Sequence, residues 1–302
     1  MRFDRDDFSS NVQDHGRGSG GGGFGGGGLG MLLPLVASRF GIGGIVVLVL
    51  LMAVFGGGLG GLFGGGGSGV VSGGGGGSGA VRGEQACRTD ETKRFACNVH
   101  RSTEQVWTEL FAASGEQFRS PGLNFFDRGV NTGCGGAESA MGPFYCPADQ
   151  GIYLDTSFFA ELASPRYGAS GDFAQAYVIA HEMGHHIQNL AGTNSQIRRA
   201  QQAASEAEGN ALQVRMELQA DCLAGVWAAN VARSGDQLAA GDMQEGLRAA
   251  QAIGDDTLQE AAGRRPVPES FTHGTSAQRQ QALQRGYQGA SYESCASYTQ
   301  GI

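Results

Sequence analysis

Five residues, His181-Glu182-Met183-Gly184-His185, carry the most pointed chemistry in the chain. Two histidines four apart stand one above the other on a single helix face, where neutral ring nitrogens can close on one Zn²⁺. Glu182 lies one helical step aside, where a general base for metal-assisted hydrolysis must stand. A catalytic zinc takes three protein ligands, so a carboxylate is expected on a second helix. Met216 to Trp227 supplies Glu217 and, four residues on, Asp221. Two acids on one face of so apolar a helix are costly unless something pairs with them. Glu217 as third ligand, and Asp221 as acceptor for the outer N–H of a ligand histidine, would remove that cost. The expected centre is one Zn²⁺ per chain on His181, His185 and Glu217. His186, rotated by about 100° from His185 on a 3.6-residue helix, reads as a structural or cleft-lining residue.

The elements that must position these groups are visible as patterns. From Asp172 to Leu190 apolar residues recur at Phe173, Tyr177, Ala180, Met183, Ile187 and Leu190, the steps of three and four that mark an amphipathic helix. Ser102 to Gln117 reads as a helix with Val106, Trp107, Leu110 and Phe111 turned inward, and further helices are expected over residues 239–262 and 276–287. Strands are expected over residues 123–130 and 144–155, on either side of the glycine- and cysteine-rich 131–142. The polar 191–210 reads as a solvated helix and loop able to wall the cleft. The fold class is α+β, mostly helical with a small sheet.

The run His181 to Gln188 with Glu217 to Gly225, preceded by Gly142-Pro143-Phe144-Tyr145-Cys146-Pro147 and followed by Phe271-Thr272-His273-Gly274-Thr275-Ser276, resembles the neutral zinc metallopeptidase family of bacterial membrane proteins. The likeness runs from about Arg2 to the C-terminus. Its ligand set is similar to that of the gluzincins, the thermolysin-like class with two histidines and a glutamate. The resemblance implies a zincin-like domain and hydrolysis of peptide bonds in a peptide or protein substrate. Glu182 would take a proton from a water activated at the zinc and pass it to the leaving amine. It also implies that a downstream histidine, here His273, supports the oxyanion, with Tyr153, Tyr177 and Tyr287 as other candidates. The strand Ile152 to Asp155 is expected to line the cleft edge and pair with an extended substrate. A reading from another class is a non-catalytic, zinc-stabilised, membrane-anchored binding module; the presence of Glu182 favours catalysis, because a structural site needs ligands but no base.

Composition divides the chain. Of 302 residues 54 are glycine, concentrated in the first 80 positions. Residues 1–39 read as a flexible glycine-rich cytoplasmic tail, 40–63 as a transmembrane helix, 64–82 as a Gly/Ser linker and 83–302 as the metallopeptidase domain. The 24 residues from Phe40 to Phe63 carry no charge, about 36 Å of helix, enough to cross a bilayer. Four arginines precede that run and no Lys or Arg follows it until Arg82, so the charge count places the N-terminus in the cytoplasm and the catalytic domain outside the bacterial cytoplasmic membrane. His15 would then face away from the catalytic side. All six cysteines lie beyond residue 86, which suggests disulfides in an oxidising compartment, with Cys87–Cys97, Cys134–Cys146 and Cys222–Cys295 as the expected pairs. A formal charge of −8 with no basic patch speaks against nucleic acid as a partner.

Overall fold

The computed structural model describes residues 1–3, 6–17, 80–234 and 238–302. In chain order the strands are β1 (Val12–Arg17), β2 (Val81–Arg82), β3 (Gly122–Asp127), β4 (Gly129–Thr132), β5 (Gly135–Glu138), β6 (Phe144–Cys146) and β7 (Gly151–Leu154). The helices are α1 (Glu84–Cys87), α2 (Glu91–Ala113), α3 (Ser157–Leu162), α4 (Asp172–Leu190), α5 (Thr193–Gln202), α6 (Glu206–Ser234), α7 (Asp242–Ala252), α8 (Asp255–Ala261) and α9 (Ser276–Gly289). The fold is α+β and mostly helical, with one sheet of order β2-β1-β3-β7-β6 and a separate β4–β5 hairpin.

Pairing is parallel for β1–β3 and β3–β7, antiparallel for β2–β1 and β6–β7. Leu123 and Phe125 of β3 alternate with Asn124, and Ile152 and Leu154 of β7 alternate with Tyr153, so one sheet face buries four apolar side chains in the main core. The other face stacks Tyr153 on Phe144, ring centroids 5.0 Å apart. Helices α2 and α4 pack against the sheet and α6 packs on α4, in a core that includes Trp107 and the stacked Phe173–Trp227 pair at 5.9 Å. Helix α9 closes on α6 so tightly that a Cβ on Gly286 would stand 1.8 Å from the carbonyl oxygen of Cys222.

Several boundaries differ from the sequence expectation, each for a local reason. Residues 6–17 belong to the folded domain and not to a flexible tail. β1 has a single apolar core residue, Val12, so it shows no strand pattern; it is held by backbone pairing on both sides and by polar anchors. Lys93 Nζ contacts Asp14 at 2.6 Å, Arg94 Nη2 contacts Asp6 at 2.9 Å, and Ser9 donates to Glu104 at 2.8 Å. The expected tail residues 18–39, the expected transmembrane run 40–63 and most of the expected linker lie outside the described residues. Among the described residues no helix is long and apolar enough to cross a membrane.

Helix α2 starts eleven positions before the expected Ser102, because the Asp90 carboxylate caps it by accepting from Lys93 N. The expected strand 144–155 is a hairpin: Pro147 cannot continue a ladder, and the Asp149 carboxylate accepts from Gly151 N to shape the turn. β7 is consequently interior, paired on both sides, and β6 takes the outer edge of the sheet. The expectation that Ile152 to Asp155 forms the cleft edge is therefore corrected in favour of Phe144 to Cys146. The expected helix 239–262 breaks into α7 and α8 at Gly254, where the backbone of Ser276 comes within 2.4 Å of any added Cβ. The three disulfides are the expected pairs, Cys87–Cys97, Cys134–Cys146 and Cys222–Cys295.

Candidate metal centre

Helices α4 and α6 bring the site together, and the crossing needs a glycine. A Cβ on Gly184, inside the His-Glu-x-x-His segment, would meet the carbonyl oxygen of Ala220 at 2.9 Å. Backbones that close let short side chains on the two helices meet. Gly184→Ala is expected to cost about 1–3 kcal/mol of stability as the helices separate, and to weaken metal binding. Denaturant unfolding and competition with a metal-sensing dye would read the two effects.

One ligand atom each from His181, His185 and Glu217 lies within 4.8 Å of the others. The Nε2 atoms of His181 and His185 stand 3.2 and 3.5 Å from Glu217 Oε2. Ligands about 2.0–2.1 Å from a tetrahedral zinc are about 3.3 Å apart, which the two separations from Glu217 match. Outer nitrogens are also committed. His181 Nδ1 donates to Asp221 Oδ1 at 2.8 Å, and His185 Nδ1 donates to Gln188 Oε1 at 2.9 Å. With Nδ1 of each ring so committed, Nε2 is the nitrogen that faces the trio, the atom a metal would take. Gln188 is held in turn by donating to Met216 O at 2.7 Å and to Gln219 Oε1 at 3.0 Å.

Charge at the centre asks for a cation. Burial disfavours protonation of His181, but the Asp221 and Glu217 carboxylates overcome this and hold its pKa at about 10. Burial likewise pushes Glu217 up, and the two facing imidazoles more than reverse it, leaving it well below the usual carboxylate range. The field that would keep a proton on His181 is one that a divalent ion can satisfy instead. Asp221 is fully buried and has a partner the sequence did not disclose. Arg279 of α9 donates from Nε to Asp221 Oδ2 at 2.8 Å and from Nη2 to Oδ1 at 2.9 Å, while Tyr177 OH donates to Oδ1 at 2.5 Å. Burial raises the Asp221 carboxyl, and Arg279 with His181 brings it down to about 2.

A cavity of about 430 Å³ opens over the trio, and Glu182 and His273 line it with the ligands. Its walls are mainly apolar: Met141, Phe144 and Tyr145 on the β6 side, Phe158 and Leu162 from α3, Ile197 from α5. Helix α5 thus provides the wall expected of the 191–210 segment. Burial pushes the Glu182 carboxyl above its ordinary range, against the pull of His185 and His181. His273 lies in the loop before α9. Its Nδ1 contacts Asp255 Oδ1 at 3.2 Å, and Asp255 Oδ2 accepts the backbone N–H groups of Thr272, His273 and Gly274. That grip leaves Nε2 as the ring nitrogen for the cavity.

Tyr287 is not among the residues that line the cavity. His186 is fully buried, donates from Nε2 to Arg119 O at 2.6 Å and accepts at Nδ1 from Tyr145 OH at 3.0 Å; burial holds its pKa at about 4. It ties β6 to α4 and stays outside the trio. The hydroxyl of Tyr177 is spent on Asp221 and that of Tyr153 on Asp149, which removes both as oxyanion donors. Gln188, Tyr177 in its supporting role and Arg279 went unread; Gln188, three residues past His185 on the same helix, was the one with a spacing signal.

Two histidines and a glutamate from crossed helices converge as a candidate metal-binding group. The chain belongs to the family described as "Putative neutral zinc metallopeptidase", whose model matches residues 1–298. It is similar to the uncharacterized protein YpfJ of Escherichia coli (strain K12), 47% identical over 213 residues that cover 70% of this chain and 74% of the relative. It is also similar to the uncharacterized proteins Rv2575 of Mycobacterium tuberculosis (strain ATCC 25618 / H37Rv) and Mb2605 of Mycobacterium bovis, each 41% identical over 227 residues, with the same two coverages. No solved structure matches the chain.

Proposed function

We propose that this chain is a zinc-dependent endopeptidase that hydrolyses peptide bonds within a peptide or protein substrate. The observation that carries this reading is the buried Glu182 carboxylate beside the His181–His185–Glu217 trio, in an open cavity. A purely structural metal site would have its ligands enclosed and would need no adjoining base or cavity, which argues against the binding-module reading.

Zinc on the trio would supply Lewis acidity, polarising a substrate carbonyl and making a water easier to deprotonate. Glu182 accepts the proton of the attacking water and delivers it to the amine as the C–N bond breaks. His273, fixed through Nδ1 by Asp255, turns Nε2–H towards the oxygen on which negative charge collects. The outer edge of β6, unpaired among the described residues, offers backbone groups to an extended substrate, and the apolar walls shield the reacting carbonyl from bulk water. The uncharged run 40–63 supports retention at a bilayer, and the three disulfides support an oxidising compartment outside the bacterial cytoplasm.

The test is metal analysis and hydrolysis of a mixed peptide library by the full chain. One zinc per chain is expected, with cleavage lost on chelation and restored by stoichiometric Zn²⁺; metal-independent cleavage, or none at all from the zinc-loaded chain, would refute the proposal. His273→Ala is expected to lower kcat by about 10²–10³, the effect of removing one oxyanion donor, with zinc content unchanged. A change confined to KM would instead make His273 a binding residue.

A further inference from the structure

We infer that the segment carrying β1, residues 6–17, and the domain from residue 80 onwards occupy the same side of any membrane this chain meets. The observation is the position of β1. It is not an appendage at the sheet edge: Gln13 pairs with Arg82 on one side and with Asn124 on the other, and Asp14 pairs with Val81 and Phe125. Neighbouring strands are about 4.8 Å apart, whereas the hydrocarbon core of a bilayer is about 30 Å thick. No membrane fits between residues 13 and 82.

Independent contacts hold the same segment to the same domain. Phe8 and Val12 are buried in the main core. Asp6 and Asp14 are paired with Arg94 and Lys93, both on α2, the helix that also carries Cys97 of the Cys87–Cys97 disulfide. The strand therefore shares its compartment with the disulfides. Val81 of β2 lies opposite Asp14. The charge count that orients a single span is weakened as well, since Arg17 ends the strand that folds onto the domain and Arg2 lies ahead of it.

The test uses the absence of free thiols: all six cysteines are in disulfides. In the full chain, expressed in cells, Ser10→Cys and Glu260→Cys each place one thiol at an exposed position, ahead of β1 and at the end of α8 respectively. Each is challenged with a membrane-impermeant maleimide in sealed spheroplasts and in inverted vesicles, then again after detergent, which must expose both fully. Labelling of the two variants from the same side is expected, and recovery of both in the soluble fraction likewise leaves the two positions in one compartment. Labelling of Ser10→Cys from one side and Glu260→Cys from the other overturns the inference.

Discussion

Glu182→Gln is expected to lower kcat/KM for peptide hydrolysis by about 10²–10⁴ while leaving one zinc per chain. The amide has nearly the shape of the carboxylate, so the cavity keeps its walls; it lacks a site that takes up a proton at neutral pH. Glu182 is not one of the three residues whose ligand atoms converge, so the metal does not depend on it. The two readouts separate cleanly. Loss of zinc together with activity would make Glu182 a ligand; activity within tenfold of the native chain would remove it from the chemistry. Hydrolysis absent from the native chain as well would return the centre to a structural role.

Arg279→Met should be the most damaging replacement for stability, by about 3–5 kcal/mol, because it breaks a buried ion pair from one side. Arg279 is 2% exposed and Asp221 wholly buried. Its guanidinium holds both Asp221 oxygens, and Nη1 and Nη2 also donate to Ile253 O at 3.1 Å and Tyr177 OH at 3.2 Å. Methionine fills much of the volume but leaves Asp221 with only the Tyr177 hydroxyl and the His181 ring. Arg279→Lys keeps the charge and loses the two-pronged geometry, so an intermediate cost is expected. Denaturant titrations of the zinc-loaded and the chelated protein would measure both. A loss below about 1 kcal/mol for Arg279→Met would show that water or a local shift satisfies Asp221 without it.

The part of the site legible in sequence was the part written in helical spacing. His181, Glu182 and His185 announce themselves within five residues, and Glu217 with Asp221 stood out because acids are expensive on an apolar helix. Arg279 gave no such signal: it sits among Gln278, Gln280 and Gln281, where an arginine reads as solvated, and only the packing of α9 on α6 buries it. The helices of the core were readable from their apolar steps, although Asp90 and Gly254 shifted their ends. β1 was not readable. Its residues are mostly polar, its hydrogen bonds go to partners more than sixty positions away, and composition assigned its surroundings to a tail. β6 was hidden by continuity with β7, since a hairpin turning at Pro147 to Gln150 leaves no long polar gap.

The long separation between β1 and its partners bears on how the protein can be made. β1 is the first of the described strands in the chain, and its parallel partner β3 follows only after more than a hundred further residues are added. A polypeptide begun at residue 83 would never receive it. Such a fragment would keep helices α4 and α6 but leave the backbone of β3 with an open row of donors and acceptors, beside the apolar Leu123 and Phe125. An uncovered edge of that kind pairs with whatever strand it meets, including the same edge of another copy. Aggregation of the shortened chain would then report a missing strand and not a failure of the metal site.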